Sequence, residues 1–182
     1  MATHKIFDAA YPPGSVPSGC SGVMGYIGGA SAYRVWTRAD WAPFHGIRQF
    51  PIWVPDVSGS STAAEAGRAA VATANGLGWK SSGGSRVIVC DLETTEDASW
   101  YKAFAAAVNN GGYYCVAYGS ASTVTANGAS NVMVAQYDGV ADVPAGTVGK
   151  QYQANVSYGS TQVDYSVISD WMFNRGGQGP RR

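Results

Sequence analysis

Short runs rich in β-branched and aromatic residues alternate with Ala-rich stretches along this chain. KIFDAAY (Lys5–Tyr11), GVMGYIGG (Gly22–Gly29), RQFPIWVPD (Arg48–Asp56), SRVIVCDLE (Ser85–Glu93) and GYYCVAYGS (Gly112–Ser120) read as strands. VMVAQYDG (Val132–Gly139), KQYQANV (Lys150–Val156) and QVDYSVI (Gln162–Ile168) follow. Their near-continuous apolar character suits parallel strands buried on both faces. Between them, STAAEAGRAAVATANGLG (Ser61–Gly78) starts on Ser/Thr caps and stops at glycines. TEDASWYKAFAAAVNNGG (Thr95–Gly112) starts on acids and stops at Asn-Gly. Shorter helical turns are expected at Thr37–Phe44 and Ala121–Asn127.

Strand, helix, strand, helix implies parallel βαβ units, and eight strands suggest an α/β fold closed into a single (β/α) barrel. A doubly wound open sheet is the rival, but no GxGxxG loop follows the first strand. The helices run out after the fifth strand's. DGVADVPAGTVGK is too broken by Gly and Pro for a helix, and VSYGSTQ reads as a hairpin turn. The last strands should therefore pair partly antiparallel, with helices missing between them. One barrel domain is expected over residues 1–175, with a flexible tail at 176–182.

At 182 residues the chain suffices for one core. Lys plus Arg balances Asp plus Glu at 12 each, so no nucleic-acid footprint is expected. No apolar run reaches the ~18 residues of a spanning helix, so no membrane insertion is expected. MATHKIFDAA has no apolar h-region, so the reading is a product made in the cytoplasm without a signal peptide. Cys20, Cys90 and Cys115 form no CxxC, and His4 and His45 stand alone, so neither a disulfide framework nor a metal site is indicated.

Only 13% of the chain is charged, yet VIVCDLETTED places Asp91, Glu93, Glu96 and Asp97 within seven positions. Residues two apart on a strand share a face, so Asp91 and Glu93 point together into a barrel mouth, where barrel enzymes keep their chemistry. Glu96 and Asp97 fall at the next helix's start and read as caps. Other strand ends carry polar groups: Asp8, then Gln136, Tyr137 and Asp138, then Gln151 and Gln153, then Asp164. Asp56 reads as a turn residue. Carboxylates and amides among aromatic rings suit a carbohydrate, whose apolar faces stack while its hydroxyls are hydrogen-bonded.

IFDAAYPP, GVMGYIGG, WTRADW, AEAGRAAVATANGLG and the acid-ended strand, in that order, resemble the glycoside-hydrolase-like domains of actinobacteria and their phages. That group has no assigned activity and is related in fold to the family 25 lysozymes. GYYCVAYGS, VMVAQYDG, KQYQ and VDYSVI continue the order, so the resemblance spans roughly Lys5 to Ile168. It implies a barrel of TIM/lysozyme type. It matches Asp8 to a first-strand acid and Asp91 with Glu93 to the fourth-strand acid pair. It also matches Tyr118 to an inward aromatic, Tyr137 and Gln151 to mouth residues, and Asp164 to the final-strand Asp. The second strand lacks the Lys-Ala/Thr-x-Gly string usual in family 25, and Glu93 stands where the unassigned group often has Asp.

These readings converge on a hydrolase of a bacterial cell-wall glycan, lysozyme- or endolysin-like. Glu93 is the expected general acid. Asp91 orients substrate or stabilises the oxocarbenium-like charge, and Asp8 tunes Glu93. Asp164, Tyr118, Gln136, Tyr137 and Gln151 are the expected substrate-binding residues. The chemistry calls for no cofactor. The product would reach the wall by holin-type release or within a phage particle. Two rival readings are an inactive glycan-binding or virion-associated module on the same barrel, and a cytosolic sugar-modifying enzyme.

Overall fold

The computed structural model describes residues 2–29, 34–56, 61–79, 86–93 and 97–177. Eight strands close into one barrel in sequence order: β1 Thr3–Asp8, β2 Gly22–Gly29, β3 Arg48–Val54, β4 Val87–Asp91, β5 Tyr114–Gly119, β6 Val132–Ala135, β7 Gly149–Tyr158 and β8 Thr161–Ser169. Pairing is parallel from β1 to β7, while β8 runs antiparallel to both β7 and β1. The expected (β/α) barrel with helix-free late connections is what forms. The hairpin is tighter than VSYGSTQ suggests. Tyr158 pairs with Thr161, and the turn is Gly159-Ser160, with Gly159 at a φ of 59° that glycine adopts without strain.

The helices stop and start where local chemistry directs. Helix α1 (Arg38–Trp41) runs into a 3₁₀ turn (Ala42–Phe44). In α2 (Ala63–Leu77), Thr62 and Glu65 form a reciprocal capping box, and Gly78 ends the helix in the left-handed region at φ 98°. Helix α3 (Ala98–Asn110) is capped by Asp97, which accepts from the backbone N–H of Ser99 (2.9 Å) and Trp100 (3.1 Å). Asp97 is thus the expected cap, while Glu96 lies outside the described residues. Gly67 lets α2 and α3 touch: a Cβ there would sit 2.7 Å from the carbonyl oxygen of Phe104. Helix α4 spans Ala121–Ala126, and α5 (Asp170–Phe173) is too short to show any apolar period in the sequence.

Strand alternation divides the core in two. Ile6, Met24, Phe50, Ile52, Val89, Val116, Met133 and Ile168 fill the barrel interior, with Met172 of α5 buried among them. Phe7, Val23, Ile88, Cys90, Cys115 and Val134 face outward, against Trp36, Trp41, Phe44, Trp79, Tyr101 and Phe104.

Two boundaries differ from the sequence reading. Several expected strands run on too far: β1 ends at Asp8, β4 at Asp91 and β6 at Ala135. The following residues turn away once their neighbours stop pairing. The expected tail also begins too early. Gly177 exchanges both backbone hydrogen bonds with Gln49 (2.7 and 3.3 Å), and a Cβ on Gly176 would meet the Phe50 ring at 2.5 Å. Those glycines are docked on β3, and residues 178–182 lie outside the described residues.

The register makes a direct chemical prediction. Cys90 and Cys115 are buried outside the barrel, and burial raises both thiol pKa values, Cys115 to about 12. Cys20 is only half-buried. A maleimide added to the native protein should modify Cys20 first and leave Cys90 and Cys115 untouched until unfolding. Equal rates at all three cysteines would contradict this register.

Candidate active site

A cavity of about 850 Å³ opens at the C-terminal mouth of the parallel strands. Ile52 and Val89 are among the apolar residues at its base, and Asp8, Asp91, Glu93, Asp138 and Asp164 bring five carboxylates to its lining. Tyr26, Tyr118, Tyr137 and Tyr152 supply aromatic wall. Its size is that of a site for a small ligand or a few sugar units. No Lys, Arg or His lines it among the described residues.

Asp8 ends β1 and is the direct register partner of Asp164 on β8, so closure of the barrel sets two acids side by side. Asp8 is 5% exposed, and its Oδ1 has no hydrogen-bond partner. Burial, then the charges of Asp164, Asp91 and Glu93, push its pKa well above the ordinary carboxylate value. Asp164 is less enclosed. Burial raises its pKa too, opposed by hydrogen bonds from the backbone N–H of Asn155 and the side chain of Gln151. The Asn155 bond is 2.6 Å. It exists because β7 bulges: the pairing with β8 slips twice between Gln151 and Val156, and Asn155 takes a φ of 57°. Asn tolerates that conformation better than most residues.

Asp91 ends β4 and is 4% exposed. Burial first, then the charge of Glu93, raises its pKa to about 7, against the stabilising effect of the Glu93 backbone N–H (3.2 Å to Oδ1). Glu93 lies past the strand in a turn, and is exposed at the rim. Its Oε1 accepts from the hydroxyl of Tyr118 at 3.3 Å. The same hydroxyl makes a short bond to the Gln151 side-chain oxygen and lies 3.4 Å from the hydroxyl of Tyr137. Burial raises the Tyr118 pKa further, so this phenol keeps its proton.

Of the residues singled out in the sequence, Asp8, Asp91, Glu93, Tyr118, Tyr137, Asp138, Gln153 and Asp164 line one cavity. Gln151 stands just behind it, joining Tyr118 to Asp164. Gln136 does not line it. β6 has ended before it, and its exposed amide donates instead to Asp138 (2.7 Å). Tyr26, Tyr152, Asn155 and Gln162 line the cavity without having been anticipated. Tyr26 follows Met24 by two on β2 and was legible by alternation, whereas Asn155 enters only through the bulge. No group of three or more His, Cys, Asp or Glu among the described residues is arranged to hold a metal ion.

No family model and no curated protein matches this chain. Solved structures do. The catalytic domain of endolysin ply40 from a Listeria monocytogenes phage superposes with a TM-score of 0.72 at 13% identity, covering 96% of this chain and 97% of that one. An uncharacterized B. stearothermophilus protein gives 0.68 at 15% identity, over 95% and 99% of the two chains. The Streptomyces coelicolor lysozyme gives 0.65 at 21% identity, over 93% and 94%. At these identities the likeness establishes the fold, and the chain carries the eight-stranded α/β barrel of a bacterial lysozyme and a phage endolysin domain.

Proposed function

We propose that this protein hydrolyses a bacterial cell-wall glycan, with Glu93 as general acid. The observation that carries this reading is the meeting of two buried carboxyls, Asp8 and Asp91, with an exposed one, Glu93, in one tyrosine-walled cavity free of positive charge among the described residues. The endolysin and lysozyme barrels support it by analogy of fold. No helix among the described residues is long and apolar enough to cross a membrane. Action at the wall, after release from the cytoplasm or as part of a phage particle, belongs to this proposal.

A donor must first reach the glycosidic oxygen, and only then have a suitable pKa. Glu93 stands at the rim, where a polymer can lie across it. From there its carboxyl can pass a proton to the leaving glycosidic oxygen. Positive charge then develops on the sugar ring over Asp91 and Asp8. The carboxyl oxygens of both acids face that charge, so their attraction for it is strongest in the transition state. Tyr118, fixed by Gln151, orients Glu93, and Tyr137 offers a ring face to a sugar.

The test is reducing-end release from purified cell walls. Glu93→Gln keeps the hydrogen-bonding shape but cannot deliver a proton, so turnover should fall by about 10²–10⁴-fold with glycan binding retained. Asp91→Asn should also lose turnover. A Glu93→Gln variant that cleaves as well as wild type would end this assignment. A wild type that binds glycan without releasing reducing ends would establish the inactive binding module instead.

The buried acid also predicts a stability signature. The folded pKa of Asp91, about 7, lies above its ordinary 3.8, so the folded state binds the extra proton between those values. Stability should therefore fall as pH rises from about 4 to about 7, by roughly 4 kcal/mol for this group. Asp91→Asn removes that loss. Urea unfolding should find the variant more stable than wild type at pH 8 and nearly equal at pH 4. No gain at pH 8 would show that Asp91 ionises without strain.

A further inference from the structure

The loop from Gln136 to Val148 takes the place of a helix between β6 and β7; the N–H groups of Gln136 and Gly139 bond the β7 carbonyls of Gln151 and Tyr152 (both 3.0 Å), and a buried cation on β7 adds a side-chain anchor. Lys150 lies on β7 between Gly149 and Gln151 and is only 1% exposed. Its ammonium bonds both carboxylate oxygens of Asp138 (3.1 and 3.2 Å) and makes a short ion pair with Asp142. Burial works against the charge, but the bonds from Asp142 and Asp138 outweigh it, and the Lys150 pKa is raised. Asp138 also accepts from the N–H of Val140 (2.9 Å) and from Gln136 (2.7 Å), so one carboxylate ties two points of the loop to β7.

The loop reaches the cavity. Tyr137, Asp138 and Gly139 all line it, and Tyr137 is 56% exposed with its ring available to a ligand. The Tyr137 hydroxyl lies 3.4 Å from that of Tyr118, which in turn donates to Glu93. The other face of β7 leads to the same phenol, because Gln151 bonds Tyr118 directly. Gln151 thus bonds that hydroxyl from inside the barrel, while its neighbour Lys150 holds, from outside, the loop that carries Tyr137.

We propose that Lys150 is a positioning residue for the glycan cavity. Its buried ammonium clamps the 136–142 loop so that Tyr137 stands as a fixed sugar-stacking wall and steadies Tyr118 over Glu93. This rests on the glycan-hydrolase reading for its ligand, but not for the clamp itself. Without the ammonium, Asp138 and Asp142 would repel each other; the loop would keep the backbone bonds of Gln136 and Gly139 to β7 but lose its side-chain anchor, so the Tyr137 ring would no longer be held in one place. The sugar would lose a preformed surface, and binding should suffer more than the chemical step.

The experiment combines Lys150→Met with Tyr137→Ala, singly and together, on solubilised cell-wall glycan. Lys150→Met should raise KM about tenfold with a much smaller change in kcat. In the Tyr137→Ala background the same substitution should add almost nothing, because the group it positions is gone. A purely structural lysine would give additive effects, and additivity overturns the proposal. So does an unchanged KM in a folded Lys150→Met protein. Should Lys150→Met fail to fold, Asp142→Asn loosens the same clamp while leaving Lys150 paired to Asp138. It should raise KM in the same direction and lose its effect beside Tyr137→Ala. Amide exchange of the free proteins separates the two layers of the argument. Faster exchange over residues 136–142 in the variants, with a wild type that neither binds nor cleaves glycan, refutes the function and leaves the clamp standing. Unchanged exchange there refutes the clamp whatever the substrate.

Discussion

Strand β8 bonds antiparallel to both β1 and β7, and this double pairing closes the barrel. It is also what makes the site electrostatically tense. The same ladder that satisfies the backbone of β1 sets Asp8 directly opposite Asp164. Closure then removes water from the floor, where Asp91 arrives from the far side on β4. Carboxylates in a low dielectric without a countercharge cannot all ionise. The raised pKa values of Asp8, Asp91 and Asp164 are therefore consequences of topology as much as of local sequence. An open sheet would leave these acids to water, and they would behave as ordinary surface groups.

The strand order and the parallel pattern were legible because buried strands flanked by capped Ala-rich helices leave a strong periodic trace. The acids at the mouth were legible for a related reason: in VIVCDLE the charge begins where burial ends. What could not be seen was anything decided by irregular backbone. Gln136 looked like a mouth residue because VMVAQYDG reads as one strand, yet pairing stops at Ala135 and the amide turns to Asp138. Asn155 carried no signal, since the bulge that aims its N–H at Asp164 comes from mismatched spacing between two strands. Gly176 and Gly177 looked like linker, but small residues are what allow a chain to lie against the Phe50 ring.

Lys150 illustrates the same limit from the other side. In the string GKQYQ it reads as a polar interruption of a strand, and burial of a lone lysine is ordinarily unfavourable. It is tolerated here because the missing helix leaves an outward strand face uncovered, and two aspartates of the replacing loop complete its shell. A helix would have covered that face with apolar side chains. The ion pairs cover it with a loop that can carry Tyr137 and Asp138 into the cavity instead.

The proposal of Glu93 rather than Asp91 as proton donor turns on the same boundary between strand and turn. Burial leaves Asp91 with a pKa of about 7, the range that suits a proton donor near neutrality. Yet Asp91 is the last residue held by the sheet, and its carboxyl is sunk in the floor and tied to the N–H of Glu93. Releasing a proton upward to a polymer would require it to leave that position. Glu93 has already left the sheet, and its contact with Tyr118 aims it without enclosing it. The free site therefore separates two properties that a donor needs, reach in Glu93 and a held proton in Asp91. Under the proposed function the buried carboxyls therefore act as a fixed electrostatic background, and the exposed Glu93 supplies the reach.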